Sequence, residues 1–162
     1  MGQAMREARK AFQANEVPIG AVITHQGKII ARASNQVETL QDATAHAEML
    51  ALTAAQHALG TWRLSDCTLY VTKEPCPMCA GAIVHCRPHR VVFAVPDPKG
   101  GAAGGWINLL DANPPLNHRC EVHSGVLYQE SLDLIQSFFR AARARAKSGE
   151  LRYSPPSDDS ST

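Results

Sequence analysis

From Thr68 to Val95 the chain reads TLYVTKEPCPMCAGAIVHCRPHRVVFAV, and this stretch decides the fold. Thr68–Thr72 is a short Leu/Tyr/Val strand, and Arg90–Val95 is a second run rich in β-branched residues. Between them, Pro77–Cys86 reads as a helix opened by proline, whose fixed φ and missing N–H suit a first helical turn. Strand, helix and strand in this order point to a parallel pair joined by a crossover.

Reading outward, Ala45–Leu59 is a second helix, with Gly60 as its stop. Ile19–Thr24 and Lys28–Ala33 are strands joined by a hairpin turn at His25-Gln26-Gly27. Met5–Ala14 is a short helix ending before Pro18, and Val122–Ser124 weakly continues the sheet. Ser131–Lys147 closes the fold as an amphipathic helix with Leu132, Leu134, Ile135, Phe138 and Phe139 on or near its apolar face. The Gly- and Pro-rich segment Pro96–Pro115 reads as a long loop with one helical turn at Trp106–Leu110. The expected class is therefore α/β with a partly parallel sheet. A single domain spans residues 1–152, and a disordered tail occupies residues 153–162, in which Tyr153 is followed only by Ser, Pro, Asp and Thr.

Composition narrows the function. The 162 residues carry 16 Lys+Arg against 15 Asp+Glu, without the bulk basicity of a generic nucleic-acid binder. That average hides a basic run in the last helix: Arg140, Arg143, Arg145, Lys147 and Arg152 stand against Glu150 alone. No apolar stretch approaches the roughly 20 residues of a membrane span. Five cysteines, an odd number with no export signal before them, point to reduced thiols and a cytoplasmic protein. Cys67, Cys86 and Cys120 read as small core residues. His85 and His89 face solvent or a partner subunit, and His57, His118 and His123 are surface or interface residues.

The chemistry lies in two short patterns, His46-Ala47-Glu48 and Pro75-Cys76-Pro77-Met78-Cys79, each opening a helix. Either one alone is uninformative. Together they supply an imidazole and two thiols, which suit a zinc ion and leave one coordination position for water. At a helix N-terminus the partial positive charge favours the thiolate form of Cys76 and Cys79. Glu48 lies about 200° around a regular helix from His46, so it is not expected to share the ligand direction. From a frayed first turn it could still take a proton from the water and pass it to a leaving amine. H-x-E followed by P-C-x-x-C is the signature of the zinc nucleobase deaminases.

The chain resembles the bacterial tRNA-specific adenosine deaminases of the cytidine deaminase-like superfamily over nearly its full length. The resemblance is carried by Glu16-Val17-Pro18-Ile19-Gly20-Ala21-Val22, Asp42-Ala43-Thr44-Ala45-His46-Ala47-Glu48 and Glu74-Pro75-Cys76-Pro77-Met78-Cys79-Ala80-Gly81-Ala82. Arg90-Val91-Val92-Phe93, Gly101-Ala102-Ala103-Gly104, Asn117-His118-Arg119 and Phe138-Phe139-Arg140 extend it beyond the metal motifs.

The resemblance implies a three-layer α/β/α fold with a mixed, mostly five-stranded sheet. It also implies a homodimer, one Zn²⁺ per subunit, and conversion of the wobble adenosine of a tRNA anticodon loop to inosine. By the same resemblance His46, Cys76 and Cys79 are the metal ligands and Glu48 is the proton shuttle. Asn35 contacts the nucleoside, and backbone near Ala47, Pro75 and Cys76 holds the base's polar edge. Asp97, Lys99, Asn117, Phe139 and Arg140 fall on the RNA side.

Two departures touch that side. Ala33-Ser34-Asn35-Gln36 stands where the family usually has Gly-Trp-Asn-Arg, and Pro96 stands where it often has a basic residue. They keep open a rival reading as a deaminase of free guanine or another small heterocycle such as an s-triazine. A non-catalytic, zinc-stabilised RNA-binding protein is the third reading; it gives Glu48 no purpose.

Overall fold

The computed structural model describes residues 1–148, so the expected tail, Glu150 and Arg152 lie outside the described residues. Five strands form one mixed sheet in the order β2-β1-β3-β4-β5. They are β1 (Gly20–His25), β2 (Lys28–Ser34), β3 (Cys67–Lys73), β4 (Arg90–Val95) and β5 (Glu121–Ser124). β1 runs antiparallel to β2 and β3, whereas β3, β4 and β5 are mutually parallel. The helices are α1 (Gly2–Gln13), α2 (Val37–Leu40), α3 (Ala47–Leu59), α4 (Pro77–Cys86) and α5 (Tyr128–Lys147). α1 packs on β1, β2 and β3 and touches α5, while α3 packs on β1 and β2 and touches α4. The result is the expected three-layer α/β/α arrangement.

The register brings several strand ends together. Gly20 pairs with Ser34, Ala21 with Val71, and Lys73 with Val95. The start of β1, the end of β2 and the carboxyl ends of β3 and β4 therefore share one edge of the layer. In open α/β sheets ligands collect beyond the carboxyl ends of the parallel strands. α3 and α4 both begin beside that edge.

α4 and β4 occupy the residues expected from sequence. α1 begins three residues earlier than expected because Ala4, Met5, Ala8 and Ala11 continue one buried stripe. α5 begins at Tyr128 rather than Ser131, after Leu127 in the left-handed region. Trp106–Leu110 is not a helical turn, which corrects the expectation for this loop. The N–H groups of Trp106 and Ile107 both turn back to the Gly101 carbonyl, and Ala103 bridges Asn108 as in a short hairpin.

Cys67, Cys86 and Cys120 are buried, and His85 and His89 are exposed. Phe138 is buried and meets Phe12 edge to face at 6.0 Å, whereas Phe139 is 42% exposed. No helix among the described residues is long and apolar enough to cross a membrane.

One close approach locks α1 to the sheet. A Cβ built on Gly20 would lie 2.1 Å from the Ala4 carbonyl oxygen and 2.4 Å from the Ala8 nitrogen, both backbone atoms. Overpacking of this kind destabilises by about 1–3 kcal/mol. Gly20→Ala should therefore lower the thermal unfolding midpoint by several degrees in calorimetry; an unchanged midpoint would show that α1 is free to move.

Candidate active site

His46 is the residue before α3, in extended conformation at φ −70° and ψ 150°. Cys76 stands in the same position before α4, at φ −72° and ψ 172°, and Pro77 begins the helix. Cys79 follows in the first turn of α4 and is fully buried. His46 Nδ1 lies 3.7 Å from Cys76 Sγ and 3.5 Å from Cys79 Sγ. All three donor atoms fall within 4.8 Å of one another. Zn–S and Zn–N bonds of about 2.3 and 2.0 Å at tetrahedral angles need N···S separations of about 3.5 Å. The three side chains therefore fit a tetrahedral metal ion that keeps one position open.

Glu48 sits on the second residue of α3, 3% exposed. The expected angular conflict with His46 does not arise, because His46 is outside the helix and its side chain is not bound by helical spacing. Among the described residues, Glu48 Oε2 is the buried side-chain polar atom left without a hydrogen-bond partner. Burial pushes the Glu48 carboxyl up to about 7. The Cys76 thiol is pushed down to about 4 by its hydrogen bond with Cys79 and by His46, against the opposing effect of burial. The Cys79 thiol moves up, because it shares that bond and is buried near the Glu48 charge. His46 is raised by its contact with Cys76. One proton is thus shared unevenly between two thiols, and a divalent cation would displace it.

A cavity of about 300 Å³ opens beside His46, lined also by Glu16, Val17, Ile19, Asn35, Val37 and Glu38. Asn35 is buried at the end of β2, and its Nδ2 donates to Glu16 Oε2 at 3.1 Å. A second cavity, about 350 Å³, lies at the opposite strand ends among His25, Leu59 and Cys67, away from the three donors.

The remaining expected residues divide into two groups. Ala47 and Pro75 are buried against the site, and the Pro75 carbonyl accepts the Ala102 N–H at 2.8 Å. Lys99, Asn117, Phe139 and Arg140 are exposed. Asn117 lines a shallow cleft with Gly81, Val84 and His85 on α4. Asp97 is half-buried and engaged: it pairs with Lys73 and accepts the N–H groups of Lys99 and Gly100. Burial alone would raise its carboxyl, but Lys73 and these donors hold it below the usual range. It shapes its loop from within.

Sequence reasoning assigned no role to two buried carboxylates. Glu74, next to Pro75, accepts the N–H groups of Asp97, Ala103 and Gly105 at 2.7–2.8 Å. A Cβ on Gly101 or Gly105 would fall 2.2–2.3 Å from its carboxyl, so these glycines make room for it. Glu16 is the other, 1% exposed at the turn between α1 and β1. The available signal was a glutamate at the head of two of the resemblance motifs, together with the glycines of the Pro96–Pro115 loop.

The MafB19-like deaminase family profile matches residues 1–143. The chain is 52% identical, over 95% of each sequence, to the tRNA-specific adenosine deaminase of Bacillus subtilis. The chain belongs to the tRNA-specific adenosine deaminase family. A solved structure from work on A-to-I editing by tRNA:A34 deaminases matches it with a TM-score of 0.79 at 42% identity, over 83% of this chain and 96% of that one. A guanine deaminase from Nitrosomonas europaea shares the fold at a TM-score of 0.73 but 26% identity, over 85% of this chain and 81% of that one. The two segments that converge at His46, Cys76 and Cys79 both lie within the matched region.

Cys76→Ala should abolish stoichiometric metal binding, read by atomic absorption, because two ligands from different helices cannot hold the ion as three do. Full metal retention in the purified variant would overturn the ligand assignment.

Proposed function

We propose that this protein is a cytoplasmic, homodimeric, zinc-dependent hydrolase that deaminates the wobble adenosine of a tRNA anticodon loop to inosine. One observation carries the reading: an open three-donor centre with a buried carboxyl beside it, one oxygen of which has no partner, in a chain 52% identical to a tRNA-specific adenosine deaminase. Zinc bound by His46, Cys76 and Cys79 supplies Lewis-acid chemistry that lowers the pKa of water toward 7.

The protein's own groups do the rest. Glu48, with its carboxyl raised to about 7, can accept and return a proton near neutral pH, as an effective acid–base catalyst must. It takes a proton from the attacking water and delivers it to the amino nitrogen at C6, which leaves as ammonia. Water and adenosine thus become inosine and ammonia, with Glu48 regenerated. Asn35 holds the nucleoside in the cavity beside His46, and the unpaired N–H groups at the start of α3, beginning at Ala47, meet the base's polar edge. The base must leave the loop stack to enter, as in other nucleobase deaminases. Lys99, Asn117, Phe139 and Arg140 are exposed for RNA, and Asp97 fixes the loop that presents Lys99.

The rival small-heterocycle deaminase uses the same metal centre. It is separated by substrate. Incubation with an anticodon stem-loop carrying a wobble adenosine, beside free guanine and free adenine, should yield inosine in the RNA alone. Ammonia from a free base alone would install the rival. Glu48→Ala should keep near-stoichiometric zinc and reduce ammonia release by at least about 10²-fold, the usual scale of general acid–base catalysis. A variant that still deaminates would refute the proton-transfer role.

A further inference from the structure

Glu16 takes no part in the chemistry just described, yet it collects an unusual number of donors. Its Oε1 accepts the Thr39 N–H at 2.7 Å and the Thr39 hydroxyl at 2.8 Å. Its Oε2 accepts the Glu38 N–H at 3.2 Å and Asn35 Nδ2 at 3.1 Å. The group is 1% exposed. Burial alone would raise its carboxyl, but the bonds from Thr39, Glu38 and Asn35 outweigh that and hold it below the usual carboxylate range. It is therefore an anion at neutral pH, and an anion can only accept hydrogen bonds.

That fixes the neighbouring amide. An amide turned with its oxygen toward Glu16 would set two acceptors against each other in a buried place. The Asn35 nitrogen must face Glu16, so the acceptor that this side chain can offer a ligand of the cavity is its oxygen, beside the second N–H of the same nitrogen. We propose that Glu16 is a specificity-determining positioning residue, which locks the Asn35 side chain so that its carbonyl oxygen meets a hydrogen-bond donor of the bound nucleoside. The inference rests on the deaminase reading above, and it goes beyond that reading by naming what sets the polarity of Asn35. The same carboxylate ties down α2, so the four-residue helix and the amide are held by one group. Sites built to hydrogen-bond one polarity reject ligands of the other strongly, because the mismatch leaves buried groups unpaired.

The test is an exchange of charge across the pair. Glu16→Gln lets the Asn35 amide adopt either orientation, and kcat/KM on the stem-loop should fall about tenfold with zinc content unchanged. Asn35→Asp sets two carboxylates against each other and should lower it further. In the double variant Glu16→Gln/Asn35→Asp, the amide introduced at position 16 donates to the carboxylate introduced at position 35, whose other oxygen again offers an acceptor. Activity should then exceed that of Asn35→Asp alone, a non-additivity that distant or independent sites do not show.

A Glu16 that serves only to anchor Thr39 and Glu38 would give additive losses, and that result overturns the proposal. The side-chain amide resonances of Asn35, assigned by their loss in Asn35→Asp, supply a readout independent of turnover. They should move on Glu16→Gln, and unmoved resonances would also overturn the proposal. A wild-type protein silent on the stem-loop whose amide resonances still respond would leave Glu16 as the positioning residue and count against the substrate reading instead.

Discussion

Glu48 is a carboxyl group held out of water at the start of a helix, with one oxygen that meets no donor. Such an arrangement costs about 1–3 kcal/mol for an unpaired neutral group, and more if it is charged. Folding tolerates it because the helix start offers partial positive charge and because a cation bound to His46, Cys76 and Cys79 would sit nearby. The same constraint explains the two buried or half-buried thiols. At the N-terminus of α4 the Cys76 thiolate is favoured, and a bound divalent cation would displace the proton left on Cys79 and add stability. The sheet register then becomes a requirement. Through β1 the ends of β2 and β3 come to one edge, and the helices that follow them start close enough to bring His46 to within 3.7 Å of both sulfurs.

Around this centre, loops that lack regular structure are held by buried carboxylates. Glu74 gathers three backbone N–H groups from the segment after β4, and Glu16 gathers three donors from α2 and one from Asn35. A loop pinned this way satisfies its buried N–H groups without a ladder or a helix. It also transmits position: Glu74 precedes Pro75 and Cys76 in the chain, so the clamp on the loop and the placement of one of the three donors share one short stretch of backbone.

The parts of the molecule legible in the sequence are those governed by short-range rules. α4 begins where Pro77 suits a first turn and β4 ends where Pro96 cannot continue the ladder, so both ranges follow from local chemistry. The donors were legible only because the two patterns, each uninformative alone, together supply an imidazole and two thiols. α2 was not, since four residues cannot display a period, and what holds them is the distant carboxylate of Glu16. The segment Trp106–Leu110 was misread because its apolar residues suit a helix, while its backbone is claimed by Gly101 and Ala103. Glu48 lay between the two cases. Its identity was plain, but its reach depended on His46 standing outside α3, a matter of one residue's φ and ψ.

The guanine deaminase that shares this fold at 26% identity sharpens where selectivity must reside. A metal with one open position and a carboxyl proton carrier acts on any amino-substituted ring carbon that can be brought to it, so the centre itself discriminates little. Discrimination falls to the groups that decide how a ring can enter. On the proposed function those would be the buried amide of Asn35 and the walls formed by Val17, Ile19 and Val37. A missing methylene on such walls is worth only about 1–3 kcal/mol, whereas a mismatched buried hydrogen bond can be worth roughly 10⁴-fold or more in kcat/KM. A polar contact made by the Asn35 amide would therefore outweigh the apolar walls, and the group that orients this amide is Glu16, which lines the same cavity.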